Sequence, residues 1–377
     1  MYHGASFVHR TYYVGGVAYG RVYQPYRWGG IGFNVYAPGF YYAPAFYGWA
    51  YNPWAAPITF GWGWGGNPWY GYYGGYFTPY PVYASPSLWL TDYLVSQTLQ
   101  AAYAARAAEL ANTQANFTPM TPDVKQQIAD EVHRQLALEN AEAAAGAQAA
   151  PDPGSSGVAR MLSDNTAHVF VVSAGLDVQS NAGTCPVTEG DVLQLNIGTP
   201  NGAPTANLVV LASKGQDCQR GATVVIGVAE LQDMQNHMRE TLDQGLADLQ
   251  KKQGQNGIPA APAAAKAPPV QTAFAAIAPP PDPNVATELS SQTKEADQAE
   301  QEALQAAPAG GPSAGPNPEP VAPAPAAKNP LTVGQSPDEV IGILGQPLNI
   351  VDMGAKKIYV FKDLKVTFTN GKASAFQ

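Results

Sequence analysis

The chain has 377 residues, among them 38 Gly and 34 Pro, and only 13% of its residues are charged. Gly and Pro together reach about a fifth of the chain, above ordinary globular usage, so less folded material is expected than the length alone would suggest. The net charge of −9 is uneven: residues 1–90 carry only Arg10, Arg21 and Arg27, hence +3, which leaves −12 for the rest and excludes the clustered Lys and Arg of a nucleic-acid binder.

Residues 1–87 read as a Tyr/Trp/Gly/Pro-rich low-complexity region. The first 89 residues hold all seven Trp and 17 of the 20 Tyr, and Asn52-Pro53-Trp54 returns as Asn67-Pro68-Trp69. Pro at these intervals blocks helices and central strands, and Gly raises the entropy cost of ordering, so extended or loosely β structure is expected. Trp49, Trp54, Trp62, Trp64 and Trp69 are candidate contacts for a membrane surface, a glycan or other aromatic chains. Gly61, Gly63 and Gly66 match G-x-G-x-x-G. With no strand before them, no helix expected after them, and Trp62 and Trp64 in the gaps, the match reads as chance.

Residues 88–150 are expected to form a helical hairpin. The stretch 88–111 has no Pro or Gly; Phe117-Thr118-Pro119-Met120 interrupts it, and Thr121 then caps a second helix with Pro122 at its first position. Val124, Ile128, Val132 and Leu136 make one apolar stripe on that helix.

Residues 155–253 are the best candidate for a compact domain. Val169-Phe170-Val171-Val172, Asp191-Val192-Leu193-Gln194-Leu195, Leu208-Val209-Val210-Leu211 and Thr223-Val224-Val225-Ile226 read as strands. Glu189-Gly190-Asp191, Asn201-Gly202 and Lys214-Gly215-Gln216-Asp217 read as turns between them. Val228, Leu231, Met234, Met238, Leu242, Leu246 and Leu249 then recur at helical spacing, which suggests a small barrel closed by a C-terminal helix. The phrase Val187-Thr188-Glu189-Gly190-Asp191-Val192-Leu193 resembles the entry to an SH3-like strand. Cys185 and Cys218 lie in this region without a C-x-x-C spacing. In an exported chain they would pair as a disulfide, and in a reducing compartment they would stay two buried thiols.

Residues 254–330 read as a Pro/Ala-rich linker, extended and semi-rigid, with an isolated helix expected over 285–306. Residues 331–377 form a small module. Ser336 is an N-cap, Pro337 suits the first helical position and Glu339 completes a capping box. Val340, Ile343 and Leu344 are expected to face the core, and Gly345 with Pro347 stops the helix. Leu348-Asn349-Ile350-Val351, Ile358-Tyr359-Val360-Phe361 and Leu364-Lys365-Val366-Thr367-Phe368 read as strands, with Asn370-Gly371 as a hairpin turn.

The pattern of Gly334, Val340, Leu344, Gly345, Pro347, Tyr359, Phe361, Phe368, Asn370, Gly371 and Lys372 resembles the SmpA/OmlA (BamE-like) family of outer-membrane assembly lipoproteins. The resemblance covers about an eighth of the chain. It implies an envelope module that packs a helix on an antiparallel sheet and binds other proteins, with Tyr359 and Phe361 as candidate contacts. The chain has one helix before the strands, where the family usually has two, and no lipidation cysteine near its start.

His3, His9, His133, His168 and His237 show no metal-ligand spacing, and no nucleophile elbow, Walker-type Lys or triad order is visible. No cofactor and no catalytic residue is expected; loss of an activity on changing His168 or Glu189 would argue otherwise. No secretory signal and no run of 18 apolar residues is visible, so export is inferred from the modules. These readings converge on a multidomain α+β chain with low-complexity segments: a helical hairpin, a β-barrel-like domain with a helix, and a C-terminal helix-on-antiparallel-sheet module. The expected role is a non-enzymatic protein of the bacterial cell envelope, periplasmic or outer-membrane associated. It would act structurally or by binding envelope proteins, in a task linked to outer-membrane assembly or integrity. The alternative is a glycan- or peptidoglycan-binding envelope protein.

Overall fold

The computed structural model describes residues 8–14, 17–110, 117–146, 152–196, 199–200, 202–215, 218–273, 331–332, 334–345, 347, 349–352, 356–361, 364–369 and 372–376. Within them the chain is mixed α/β, with several sheets and several helices. His3, the interlude 285–306, Gln216-Asp217 and the Asn370-Gly371 turn lie outside the described residues.

Three antiparallel strands open the chain: β1 (Val8–Val14), β2 (Val17–Trp28) and β3 (Ile31–Ala37). Gly29 and Gly30, both at positive φ, make the two-residue turn between β2 and β3 that matches strand twist. Strand alternation sends Tyr26, Trp28, Phe33 and Val35 to one face and Tyr23 with its register partner Tyr36 to the other. Beside β1 lies the end of the chain. After α9 (Pro337–Leu344) come β12 (Asn349–Asp352), β13 (Lys356–Val360), β14 (Lys365–Thr369) and β15 (Lys372–Phe376), each antiparallel to the next. β12 pairs parallel with β1, His9 opposite Asn349 through Tyr12 opposite Asp352. The result is one seven-stranded sheet in the order β15-β14-β13-β12-β1-β2-β3. Its C-terminal core holds Val340, Ile350, Tyr359, Phe361, Val366 and Phe368, and it is completed by Tyr23 and Tyr36.

A second, six-stranded sheet has the order β5-β8-β9-β10-β6-β7, all antiparallel. Its strands are β5 (Val169–Val171), β6 (Leu176–Ser180), β7 (Gly183–Val187), β8 (Val192–Leu195), β9 (Thr205–Ala212) and β10 (Thr223–Gly227). Cys185 and Cys218 form a disulfide in its core, with Cα atoms 5.5 Å apart. Sequence patterning misses β6 and β7 because they are polar and β7 contains Pro186. An edge strand tolerates such a proline, and β7 is an edge.

The helical layer is α1 (Pro44–Tyr51), α2 (Pro68–Tyr73), α3 (Pro86–Ala105), α4 (Ala107–Leu110), α5 (Pro122–Ala145), α6 (Pro153–Ser156), α7 (Val158–Ser163) and α8 (Val228–Lys252). α3 packs on α5 and α8, and α8 packs on β3. The stripes Val124-Ile128-Val132-Leu136 on α5 and Val228 to Leu249 on α8 are buried, and Thr121 caps α5.

Three expectations are corrected. The aromatic segment is not loosely extended where it is described. Tyr41, Tyr42, Phe46, Tyr47, Trp54, Trp64, Trp69, Tyr73, Tyr76, Phe77 and Tyr83 are buried in one core with α3, α5 and α8. Aromatic rings bury large areas with little rotamer freedom, so this segment, which has few Leu, Ile or Val of its own, still joins the aliphatic stripes of the helices in a common core. Pro and Gly limit the helices instead: the repeated Asn-Pro-Trp ends α1 at Asn52 and starts α2 at Asn67. Second, residues 254–273 are packed rather than linker. Ile258, Ala261 and Ala265 enter the aromatic core, β11 (Val270–Gln271) pairs with β4 (Phe40–Tyr41), and Thr272 donates to the Pro38 carbonyl. Small Ala side chains let this segment lie close against α1. Third, Ile343 is exposed. Val340 is buried, with Ile341 and Leu344 against the same core, because a helix of two turns turns only one narrow face inward.

Candidate functional site

The most concentrated chemistry lies where β2 and β3 meet α5 and α8. α8 presents Gln232, Asn236, Arg239, Glu240 and Asp243 along one face beside its apolar stripe, and all five are buried. α5 adds Gln135, Glu139 and Glu142 at helical spacing. Tyr36 donates its hydroxyl to Asp243 Oδ2 at 2.6 Å, and Tyr23 donates to Glu240. The two rings sit edge-to-face at 5.9 Å. The Arg21 and Arg239 guanidiniums each lie 5.9 Å from the Tyr36 ring centre, within cation–π range. Arg239 Nη2 meets Glu142 Oε2 at 2.6 Å, and Glu142 also accepts from Tyr41 at 3.0 Å and Ser156 at 2.7 Å. Asn236 accepts the Tyr36 backbone N–H and donates to the Asn34 carbonyl.

Burial pushes the Glu139 carboxyl well above the carboxylate range, and neighbouring Asp243 adds to this. Burial also raises Asp243, against the opposing pull of the Tyr36 hydroxyl and the two arginines. Burial works against the Arg239 charge, but Glu142 and Glu139 outweigh it and hold the guanidinium above its ordinary value. Sequence reasoning missed this site. Its one signal was Arg21, a charge in an otherwise aromatic, acid-free segment.

Several other charged groups are held in ion pairs and ring contacts. His168 is buried between Glu131 at 3.0 Å and Asp164 at 2.9 Å, and Glu131 also binds Arg134. Glu189 pairs with Arg106 at 2.7 Å, and Asp191 with Lys214 at 2.7 Å. Asp92 pairs with Lys125 at 2.7 Å, whose ammonium sits 3.6 Å from the Tyr80 ring centre. His133 stacks on Tyr51, and His237 meets the Thr98 hydroxyl. A cleft of about 230 Å³ opens beside the start of α5; among the described residues its lining, including Thr118, Thr121, Ser213, Gln219 and Arg220, carries no His, Cys, Asp or Glu. No group of three or more His, Cys, Asp or Glu among the described residues is placed to hold a metal ion.

The candidate contact aromatics are mostly core. Trp54, Trp64, Trp69, Tyr359 and Phe361 are buried, and only Trp49 and Trp62 are half-exposed. Trp62 stacks on Trp64 at 4.6 Å and on Trp89 at 4.8 Å. Gly61, Gly63 and Gly66 are followed by α2 after all, a helix of six residues, while no strand precedes them. No helix among the described residues is long and apolar enough to cross a membrane. Compared with protein-family models, curated proteins and solved structures, the chain matches none.

Proposed function

We propose that the chain is a non-enzymatic protein of the bacterial cell envelope that works by binding other proteins, in a task linked to outer-membrane assembly or integrity. One observation carries this reading: residues 331–376 complete their sheet with β1 as an added strand and their core with Tyr23 and Tyr36. Strand addition is a recurrent way for one protein segment to recognise another, with backbone hydrogen bonds giving affinity and side-chain pockets giving specificity. The Cys185–Cys218 disulfide favours an oxidising compartment.

In finer terms, we read α3 and α5 as a helical hairpin and the six-stranded sheet with α8 as a barrel-like unit. α9 with β12–β15 is read as a module similar to SmpA/OmlA. The capping box at Ser336 and the consecutive antiparallel order of β12 to β15 support the last of these. A glycan or peptidoglycan partner would need open ring faces, and of the two half-exposed candidate tryptophans Trp62 is stacked on Trp64 and Trp89.

The test is fractionation of cells expressing the tagged chain, with thiols trapped at lysis and photo-crosslinkers placed at exposed β15 positions such as Ser374. Envelope recovery with Cys185 and Cys218 oxidised, plus a crosslink to an envelope protein, supports the reading. Cytosolic recovery with free thiols overturns it, and retention on purified peptidoglycan sacs would replace it with the glycan alternative.

A further inference from the structure

Trp62 connects the protein surface to a buried carboxylate through a single tyrosine. The indole is half-exposed and stacks on Trp64 at 4.6 Å and on Trp89 at 4.8 Å, with the ring planes 19° and 24° apart. Its Nε1–H donates to the Tyr83 hydroxyl at 2.6 Å, and the Tyr83 hydroxyl donates to Asp92 Oδ2 at 2.7 Å. Tyr83 and Asp92 are both fully buried.

Indole and phenol rings are among the side chains that give up one electron most readily, and stacked indoles share the positive charge left behind. A phenol that loses an electron becomes a far stronger acid. Its oxidation is therefore easy only where a base stands at hydrogen-bond distance to take the proton. Asp92 is placed as that base. Lys125 Nζ lies 2.7 Å from Oδ1 and favours the carboxylate form, which leaves Oδ2 to accept from Tyr83 and from the Tyr80 backbone N–H. Burial lifts the Asp92 carboxyl above its ordinary range, against the pull of Lys125 and Tyr83, and so strengthens it as a proton acceptor.

Neighbouring rings lack one part of this arrangement. The Tyr42 and Tyr80 hydroxyls have no hydrogen-bond partner among the described residues, and Tyr76 donates to the Gly190 carbonyl, which is no base. Tyr36 and Tyr41 meet the carboxylates of Asp243 and Glu142, but neither ring contacts an indole among the described residues. The Trp54, Trp69 and Trp89 N–H groups are likewise without a partner there, so a positive charge on those rings is not fixed by proton loss.

We propose that Trp62 and Tyr83 form a redox site that takes one oxidising equivalent from a one-electron oxidant, such as an oxygen-centred radical, and stores it as a buried tyrosyl radical. The oxidant removes one electron from the Trp62 stack. Tyr83 returns an electron to the indole, its O–H bond breaks, and the proton forms a new O–H bond on Asp92 Oδ2. In sum, one electron passes from Tyr83 to the oxidant and one proton from Tyr83 to Asp92. Trp62 is restored, and its N–H still donates to the phenoxyl oxygen. The inference stands whether or not the envelope reading holds.

Flash photolysis of the full, disulfide-bonded chain at pH 7 tests it, with tris(bipyridine)ruthenium(III) generated in solution as the oxidant. An indole cation radical that gives way to a long-lived tyrosyl radical is expected, followed by transient absorption and electron paramagnetic resonance. The conversion should slow in D2O, because a proton moves with the electron; equal rates in H2O and D2O overturn the proposal and need no variant to fold. Tyr83→Phe keeps the ring and removes the phenol, so the long-lived tyrosyl signal should be lost and the indole radical should persist. Trp62→Phe should lower the tyrosyl yield by cutting the route from the surface. An undiminished tyrosyl signal in either variant overturns the site.

Discussion

The Tyr36 hydroxyl donates to Asp243 at 2.6 Å, while the Tyr36 backbone N–H donates to Asn236, two turns earlier on the same helix, at 2.9 Å. One residue thus ties β3 to α8 at two points, and its ring closes the core of the C-terminal strands. Removing only the hydroxyl isolates the first tie. Tyr36→Phe keeps the ring and leaves a buried carboxyl without its donor, so a loss of about 1–3 kcal/mol is expected in urea unfolding at pH 7. Asp243→Asn in the Tyr36→Phe background should cost less than in the wild type, since the two changes remove one interaction. Additive losses would show that the hydrogen bond contributes nothing of its own.

Local signals were legible in the sequence, and this junction was not. The Thr121 cap, the Ser336 capping box and the apolar stripes of α5 and α8 depend on residues within a few turns of one another, so spacing alone finds them. The polar stripe of Asn236, Arg239 and Asp243 has the same spacing and reads as a solvated face. Only the arrival of Arg21 and Tyr36 from the far end of the chain turns it into an interior. The aromatic segment misleads for a related reason: its Gly and Pro argue against long elements, but they do not prevent short ones from packing rings. The parallel pairing of β1 with β12 joins strands separated by most of the chain, and no pattern in either strand announces it.

Glu131 should set part of the acid limit of stability. Burial pushes its carboxyl up, but His168 and Arg134 outweigh burial and hold it below the ordinary glutamate range. A depressed acid contributes stability that is complete above the ordinary range and lost as pH falls through the folded value. Wild-type stability should therefore drop as pH falls below about 4. Glu131→Gln should be weaker at neutral pH by about 3 kcal/mol, having broken a buried pair, and should show a shallower acid limb in thermal melts. A limb as steep as that of the wild type would assign the acid sensitivity to other carboxylates.

The disulfide makes a separate, quantitative prediction. Cys185 and Cys218 are 33 residues apart in sequence, and closing such a loop stabilises by about 3–4 kcal/mol in the chain-entropy model. Cys185→Ser with Cys218→Ser should lose about that much in urea unfolding. Both sulfurs are buried, so a thiol reductant should reach the native disulfide only through opening of the six-stranded sheet. Reduction should therefore accelerate steeply at urea concentrations that begin to unfold the chain. Fast reduction in buffer alone would mean that the strand around Cys185 opens on its own.

Gly29 and Gly30 share one turn and should respond differently to the same substitution. Both have positive φ, 57° and 89°, so alanine strains the backbone at either position by roughly 1–2 kcal/mol. Only Gly29 touches a second segment: a Cβ there would fall 2.2 Å from the Cα of Gly202, in the connection before β9. At Gly30 a Cβ meets open space. Gly30→Ala should therefore show the conformational cost alone. Gly29→Ala should cost more and loosen the contact between the β2–β3 turn and the six-stranded sheet, seen as faster amide exchange around Gly202 in the Gly29 variant only. Equal stabilities and equal exchange in the two variants would show that this close approach of two backbones adds nothing to the attachment of the β2–β3 turn.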